Sequence, residues 1–249
     1  EDLTLAEIKT LRAVERIPAV RPGNTVHDGL YEVPTLEEVI DLVRRKEREL
    51  GRRIGLYPET KHPTHFSSVG LDVNRELVRV LNRNGYRSAS DPVFIQSFEV
   101  TNLRQLDTMT DIRLVQLLGA SLMPYDVYAA GGSRTYADMA TAEGLADIAT
   151  YADGVGPDKS LVIPLDAAGE LHADNATDLV DDAHAVGLTV HPWTFRAENY
   201  FLPAELRRGD ANAPDYLRQH GANLIIMGER EIARGMIEHA LGNGASDDM

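Results

Sequence analysis

A carboxylate, an ammonium and an imidazole follow closely on one another where the apolar run Ile54-Gly55-Leu56-Tyr57-Pro58 gives way to Glu59-Thr60-Lys61-His62-Pro63. Side chains on a strand alternate between faces, so Glu59 and Lys61 point one way and Thr60 the other. Burying two unpartnered charges side by side is costly, so this pattern reads as a strand end that opens into a wet polar site. An ion pair at an exposed strand terminus is the other reading. Pro63 has no N–H to give and ends the ladder.

Further candidates stand at the ends of other apolar runs. Gln96 and Phe98 share a strand face in Pro92-Val93-Phe94-Ile95-Gln96-Ser97-Phe98, which suits a pocket wall as well as β core. Trp193, the only tryptophan, ends the run from Leu188 and is either a rim aromatic or a core residue. His62 and His65 lie close enough to Glu59 to act as a base or to support a metal; a role in loop structure is the alternative. Arg196, Glu198 and Asn199 fall in the loop after Trp193, where polar clusters often carry function. Gly131-Gly132 reads as a turn before a phosphate cradle.

The elements that must position these residues alternate. A capping box at Thr4 and Glu7 predicts a helix over residues 4–16, with Leu5, Ile8, Leu11 and Val14 on one face. Residues 17–34 read as a loop. Thr35 and Glu38 open a second helix that stops at Gly51, and the Arg and Lys of residues 44–53 are its solvated, cationic end. A helix on Leu71, Leu77, Val78 and Leu81 follows the Glu59 strand. The Phe94 strand leads to a short helix capped by Thr101, a strand over 112–119, a loop over 120–134 and a helix over 136–151. A strand over 153–159, a helix over 175–186, a strand over 188–195 and a last helix–strand–helix unit over 214–241 complete the order. Six strands after residue 50, too continuously apolar for a half-exposed antiparallel sheet, predict a parallel α/β sheet with helices outside. Strands that trail into polar or aromatic residues at their carboxyl ends favour a (β/α)8 barrel, with about six of eight strands present in a single domain over residues 1–249. GxGxxG, GxSxG and Walker loops are absent.

Composition narrows the class of partner. The chain has 249 residues, 43% of them hydrophobic, and a net charge of −14, which disfavours nucleic acid and anionic membrane surfaces. An anionic small molecule would need a local cationic pocket. There is no cysteine, hence no disulfide or thiolate metal site. No apolar run reaches the roughly 18 residues of a membrane span, and no signal peptide is visible. The start at Glu1-Asp2-Leu3-Thr4 reads as the interior of a longer protein.

Taken in order, Thr35-Leu36-Glu37-Glu38, Tyr57-Pro58-Glu59-Thr60-Lys61-His62-Pro63, Gln96-Ser97-Phe98, Gly154-Val155-Gly156-Pro157 and His191-Pro192-Trp193-Thr194-Phe195-Arg196-Ala197-Glu198-Asn199 resemble the glycerophosphodiester phosphodiesterases, in particular the larger bacterial periplasmic or secreted type. The resemblance implies a TIM barrel that hydrolyses glycerophosphodiesters to glycerol 3-phosphate and an alcohol with Ca²⁺ or Mg²⁺. It implies Glu59 as a metal ligand, Lys61 as a phosphate contact, and Trp193, Gln96 and Phe98 as substrate-binding residues, the partner being a small phosphodiester. Of the family's motifs, His-Arg-Gly, Glu-x-Asp and the following histidine have no match here, and only Glu-x-Lys does. The catalytic histidines are therefore expected upstream of residue 1, with the chain an amino-terminally truncated form. Ile225-Ile226-Met227-Gly228-Glu229 replaces the family's closing Asp and Pro. Two other readings stand beside this one. One is a non-catalytic barrel that binds a phosphorylated glycerol compound or a protein partner, and the other is a barrel phosphodiesterase acting on sphingolipid or lysolipid head groups.

Overall fold

Capping chemistry sets the helix starts. The Thr35 hydroxyl accepts the Glu38 N–H while the Glu38 carboxylate accepts the Thr35 N–H, satisfying two donors that a helix start leaves free. The structure, a computed structural model, describes residues 1–196 and 198–203. Two α-helices precede the sheet, α1 (Leu5–Ile8) and α2 (Leu36–Leu50), the latter ending at Gly51 with φ 64°, and between them the segment expected to be a loop holds a 3-10 helix over Pro22–His27. Five parallel strands follow in sequence order: β1 (Glu59–Thr60), β2 (Phe94–Ser97), β3 (Arg113–Leu118), β4 (Gly154–Pro157) and β5 (Thr189–Val190).

Helical crossovers join every pair, as parallel neighbours require. They are α3 (Pro63–Ser68) and α4 (Val73–Arg83), then α5 (Val100–Asp107), then α6 (Tyr125–Ala129), α7 (Tyr136–Met139) and α8 (Ala142–Ile148), and last α9 (Lys159–Val162) and α10 (Leu179–Ala185). Alternation along the strands divides the sheet's faces. Ile95, Leu114, Leu118, Val155 and Val190 pack under the helices with Leu81, Leu103, Leu106, Leu145 and Ile148. Val115 and Leu117 point the other way, where a Cβ on Gly156 would meet Leu117 Cδ2 at 2.6 Å.

The sheet curls. Its edge strands would stand about 19 Å apart if it were flat, at about 4.8 Å per step. Yet the Tyr57 hydroxyl, just before β1, lies 2.6 Å from His191 Nδ1, just after β5. Glu59 is in register with Thr189 through Gln96, Val115 and Gly154, so Tyr57 is level in register with residue 187. Its partner stands four residues further on. A barrel of eight strands with a shear of eight climbs about one residue per strand, which over four steps gives this offset.

Several elements depart from the sequence pattern. The first helix stops at Ile8 instead of residue 16, and Leu5, Leu11 and Val14 stay exposed because no described element covers them. Leu71 lies before α4, which Asp72 caps through the Arg75 N–H. Thr101 sits inside α5 rather than at its cap; Glu99 is the N-cap, and the Thr101 N–H donates to the Asp126 carboxylate at 2.6 Å. The loop over 120–134 holds α6, and the helix expected over 175–186 begins at Leu179. The strand expected over 188–195 pairs only at Thr189 and Val190, with one further bridge from Trp193 to Asp158. The helix expected over 136–151 breaks at Thr141, whose extended backbone and hydroxyl cap start α8 afresh. The sixth strand and the Ile225–Glu229 departure lie outside the described residues.

The break folds α7 back onto α8. A Cβ on Gly144 would fall 2.4 Å from the Asp138 carbonyl oxygen and 2.5 Å from that of Met139, and neither backbone atom can swing aside. Gly144→Ala should therefore destabilise the fold by about 1–3 kcal/mol despite alanine's better helix propensity. Urea unfolding measures it, and a stability equal to or above that of the parent would show that the corner yields.

Candidate functional site

The inward row of each strand climbs toward its carboxyl end, where barrels of this kind carry their sites. Following the same stagger, Tyr57, Val115 and His191 form one layer and Glu59, Leu117 and Trp193 the next. Lys61 and Phe195 fall in the layer above. The barrel's pitch thus brings Glu59 and Trp193, which are 134 residues apart in the chain, to one level of the mouth.

Glu59 and Lys61 share a face as expected, and Lys61 Nζ lies 3.3 Å from Glu59 Oε2. The Glu59 side chain is 21% exposed and that of Lys61 72%. The carboxylate belongs to the mouth wall and the ammonium to the water above it, so an exposed ion pair and a polar mouth are both present. Such a pair is worth at most about 1 kcal/mol, leaving Lys61 free to turn to another anion. His62 then takes a left-handed backbone with φ 50°, and Pro63 begins α3 as its first residue. The His62 ring packs edge-on against Tyr125, and His65 Nε2 lies 3.0 Å from Glu1 Oε1.

Trp193 is fixed at both ends of its ring system. Its indole N–H donates to the Gly156 carbonyl at 2.8 Å, and Phe98 meets it edge-to-face with centroids 5.6 Å apart. Gln96 donates from Nε2 to the Tyr57 carbonyl at 3.2 Å. Phe98 and Trp193 therefore form one half-buried aromatic wall, while Gln96 sits a layer lower against β1. Below them Tyr57, Phe94 and His191 pack edge-to-face, and the Arg113 guanidinium lies 3.8 Å above the Phe94 ring.

Two buried carboxylates escape the sequence patterns. Glu99 is 2% exposed and accepts the Thr64 N–H at 3.0 Å, which ties the β2 loop to the first turn of α3. Burial raises its carboxyl above the ordinary range, and Asp126 adds to the rise. Asp126 reaches from α6 to the first turn of α5, and its Oδ1 is buried without a partner among the described residues. Their sequence signal is slight: each is an acid within a few residues of a strand end or helix start.

The metal-capable side chains that cluster most tightly among the described residues are elsewhere. Asp166, Glu170 and His172 lie on the excursion between α9 and α10, closed by the Leu165–Leu171 bridge. Asp166 already accepts the Ala168 and Glu170 N–H groups and pairs with His172, as a turn does for its own sake. At the mouth, Glu59 offers one hard carboxylate, a donor that suits Ca²⁺ or Mg²⁺ but fills only part of a shell of six or more oxygens.

Burial holds the His191 imidazole below its ordinary value, and the Arg113 charge lowers it further. The unfolded chain therefore takes up this proton first as pH falls. Stability from His191 is intact above about pH 6.5, declines below it by up to about 1.4 kcal/mol per pH unit, and levels off below the folded value. His191→Gln should flatten that decline in urea unfolding followed between about pH 5 and 7.5. An unchanged slope in the variant would assign the dependence to another group.

A family model described as the glycerophosphoryl diester phosphodiesterase family matches residues 1–226. The chain is 30% identical over 228 residues to glycerophosphodiester phosphodiesterase GDPD6 of Arabidopsis thaliana, covering 86% of this chain and 57% of that protein. It is 28% identical to the glycerophosphodiester phosphodiesterase of Haemophilus influenzae, over 79% of this chain and 59% of that protein. For the enzyme of the same name from Treponema pallidum the identity is 27%, over 90% and 67%. The chain thus spans roughly three-fifths of the length of the curated relatives it matches. It belongs to the glycerophosphodiester phosphodiesterase family, and its curled parallel sheet is five strands of that family's (β/α)8 barrel.

Proposed function

We propose that this chain is the larger part of a divalent-cation-dependent phosphodiesterase that hydrolyses glycerophosphodiesters to glycerol 3-phosphate and an alcohol. The observation that carries it is the Glu59–Lys61 pair, matching the family's Glu-x-Lys and standing at the carboxyl edge of β1. Glu59 would hold one ligand position for Ca²⁺ or Mg²⁺, and the rest of the shell would come from outside the described residues. The bound cation would neutralise charge on the phosphoryl oxygens. Lys61 supplies a mobile positive charge to the same phosphate, as a lysine on a flexible stem does well.

The aromatic wall of Phe98 and Trp193 suits the carbon skeleton of the glycerol half, with Gln96 fixing β1 against β2 beneath it. Water adds at phosphorus, the bond to the alcohol oxygen breaks, and the alcohol leaves with a proton. Two groups must move those protons. His62 and His65 are the described imidazoles nearest Glu59 in the chain, but neither faces the inward row, so this reading draws the proton carriers from the remainder of the whole protein. No helix among the described residues is long and apolar enough to cross a membrane. A periplasmic or secreted location goes with the resemblance to the larger bacterial enzymes.

Release of glycerol 3-phosphate from glycerophosphocholine by the full-length protein tests this reading. Release should require Ca²⁺ or Mg²⁺, stop with EDTA, and fall by about a hundredfold or more in Glu59→Ala. Lys61→Ala should raise KM for the diester. Diester binding without release would support a non-catalytic barrel, and release indifferent to EDTA and to Glu59→Ala would overturn the role given to the carboxylate.

A further inference from the structure

The loop that leaves β3 at the carboxyl end of the barrel carries apolar side chains outward. Leu122 is 80% exposed, the highest value for a large apolar side chain among the described residues, with Tyr128 at 68% and Tyr125 at 45%. Leu122 also takes a left-handed backbone with φ 71°, a conformation that strains a bulky residue and that glycine adopts freely. Nothing within the described fold is gained by holding an apolar group in water on a strained backbone.

The loop is built rather than trailing. The Tyr136 N–H donates to the Leu122 carbonyl at 3.0 Å and the Gly132 N–H to the Val127 carbonyl at 2.9 Å. Asp126 turns inward to the Thr101 N–H, while Tyr125 and Tyr128, three positions apart on α6, set their rings 6.4 Å from one another. Two ring contacts join this patch to the mouth. Tyr125 lies 6.5 Å from the His62 ring beside Lys61, and Tyr136, which holds Leu122, lies 6.0 Å from Phe98 of the aromatic wall.

Charge limits what the patch can meet. Residues 119–134 contain one acid and one base, Asp126 and Arg134. The first is buried, and the second pairs with Asp147 at 2.6 Å. Lys61 and Glu59, at the neighbouring edge, pair with each other. The outer face is therefore uncharged in a chain of net charge −14, which repels an anionic surface and offers a cationic partner no acid here. None of the three side chains is enclosed, so the patch does not wrap a single small ligand. Tyrosine joins an apolar ring to a hydroxyl and suits the boundary between head groups and acyl chains, and leucine suits the layer beneath.

We propose that Leu122, Tyr125 and Tyr128 dock the mouth onto a zwitterionic lipid surface. The inference goes beyond the phosphodiesterase reading and does not require it, because docking leaves hydrolysis of a dissolved diester unaltered.

Cosedimentation of the full-length protein with phosphatidylcholine vesicles tests it, beside vesicles in which phosphatidylglycerol replaces part of that lipid. The parent should bind phosphatidylcholine and gain nothing from phosphatidylglycerol. Leu122→Gly relieves the left-handed backbone, so it should be at least as stable in urea as the parent while binding vesicles about threefold or more weakly. Tyr128→Ser should weaken binding similarly, the two together by about tenfold or more, with kcat/KM for dissolved glycerophosphocholine unchanged. Tyr128→Trp should keep binding, since either ring suits the interface. No binding by the parent, binding that survives the double variant, or binding that rises with phosphatidylglycerol overturns the lipid surface. A parent that sediments as a dimer beside a monomeric double variant overturns it too and gives the patch to a second copy of the chain. Vesicle binding without release of glycerol 3-phosphate would leave the docking standing and sink the phosphodiesterase reading alone.

Discussion

The hydrogen bond between Tyr57 and His191 joins the two edges of the described sheet, and the geometry of the mouth depends on the curl it records. The 2.6 Å contact fixes the pitch as well as the closure, because the two residues sit four positions out of register. That same pitch raises Trp193 to the level of Glu59 and Phe195 to the level of Lys61. Two groups of opposite sequence history then face one space. Burial keeps the Tyr57 hydroxyl and the His191 imidazole neutral by pushing their proton affinities in opposite directions, up for the phenol and down for the imidazole. A neutral pair is what the partly dry interior below the mouth tolerates, and with Phe94 and the stacked Arg113 it makes a floor.

On the helix side, the strand ends are held by a polar layer where most of the sheet is packed with aliphatics. Gln116, fully buried, donates to the Phe98 and Leu117 carbonyls and accepts from the Tyr151 hydroxyl. The Ser97 hydroxyl donates to the Thr60 carbonyl, and the Thr60 hydroxyl to Asn102, which is bonded in turn to Asn74. A parallel ladder loses its regular partners where strands become loops, and buried carbonyls left there would cost free energy. These side chains satisfy them, and in doing so they fix the exit direction of the chain after β1, β2 and β3. Glu99 and Asp126 extend the arrangement outward by holding the first turns of α3 and α5 across loops. The Glu59–Lys61 edge is thus supported from behind by interactions that never enter the mouth.

Much of this was legible from residue order, and the failures share a cause. The capping boxes at Thr4 and Thr35 are local chemistry and formed as written. The strand runs at Phe94 and Arg113 were plain because buried parallel strands need continuous apolar residues. Glu59, Lys61 and Trp193 stood out because charged or aromatic residues closing such runs are unusual. What could not be read is what depends on distant parts of the chain. Leu11 and Val14 keep a helical spacing with no described surface to bury against, so periodicity alone did not extend α1. Thr101 has the right residue type for a cap, but Asp126 supplies the acceptor from 25 positions away. Residues 136–151 carry a helical pattern across a corner that only the contact of Gly144 with two carbonyls reveals. The Tyr57–His191 bond spans 134 positions and has no local signature.

Charge gives the mouth its direction. With 39 acidic and 25 basic side chains, the molecule as a whole repels an anionic diester. Screening confines that repulsion to about 8–10 Å at ordinary ionic strength, so what an approaching phosphate meets is decided by the nearest few side chains. Around the carboxyl rim these are Lys61, Lys159 and Arg196, with the nearby acids of Glu59, Asp158 and Glu198 each already paired or accepting from the backbone. On a body with a net charge of −14, the three cations and three acids of this rim stand close to balance. The carboxylates beside these cations cap and brace: Asp158 holds the Ser160 N–H and hydroxyl at the start of α9, and Glu198 holds the Arg21 fork, so the loops after β4 and β5 keep their shape beside the Glu59 edge.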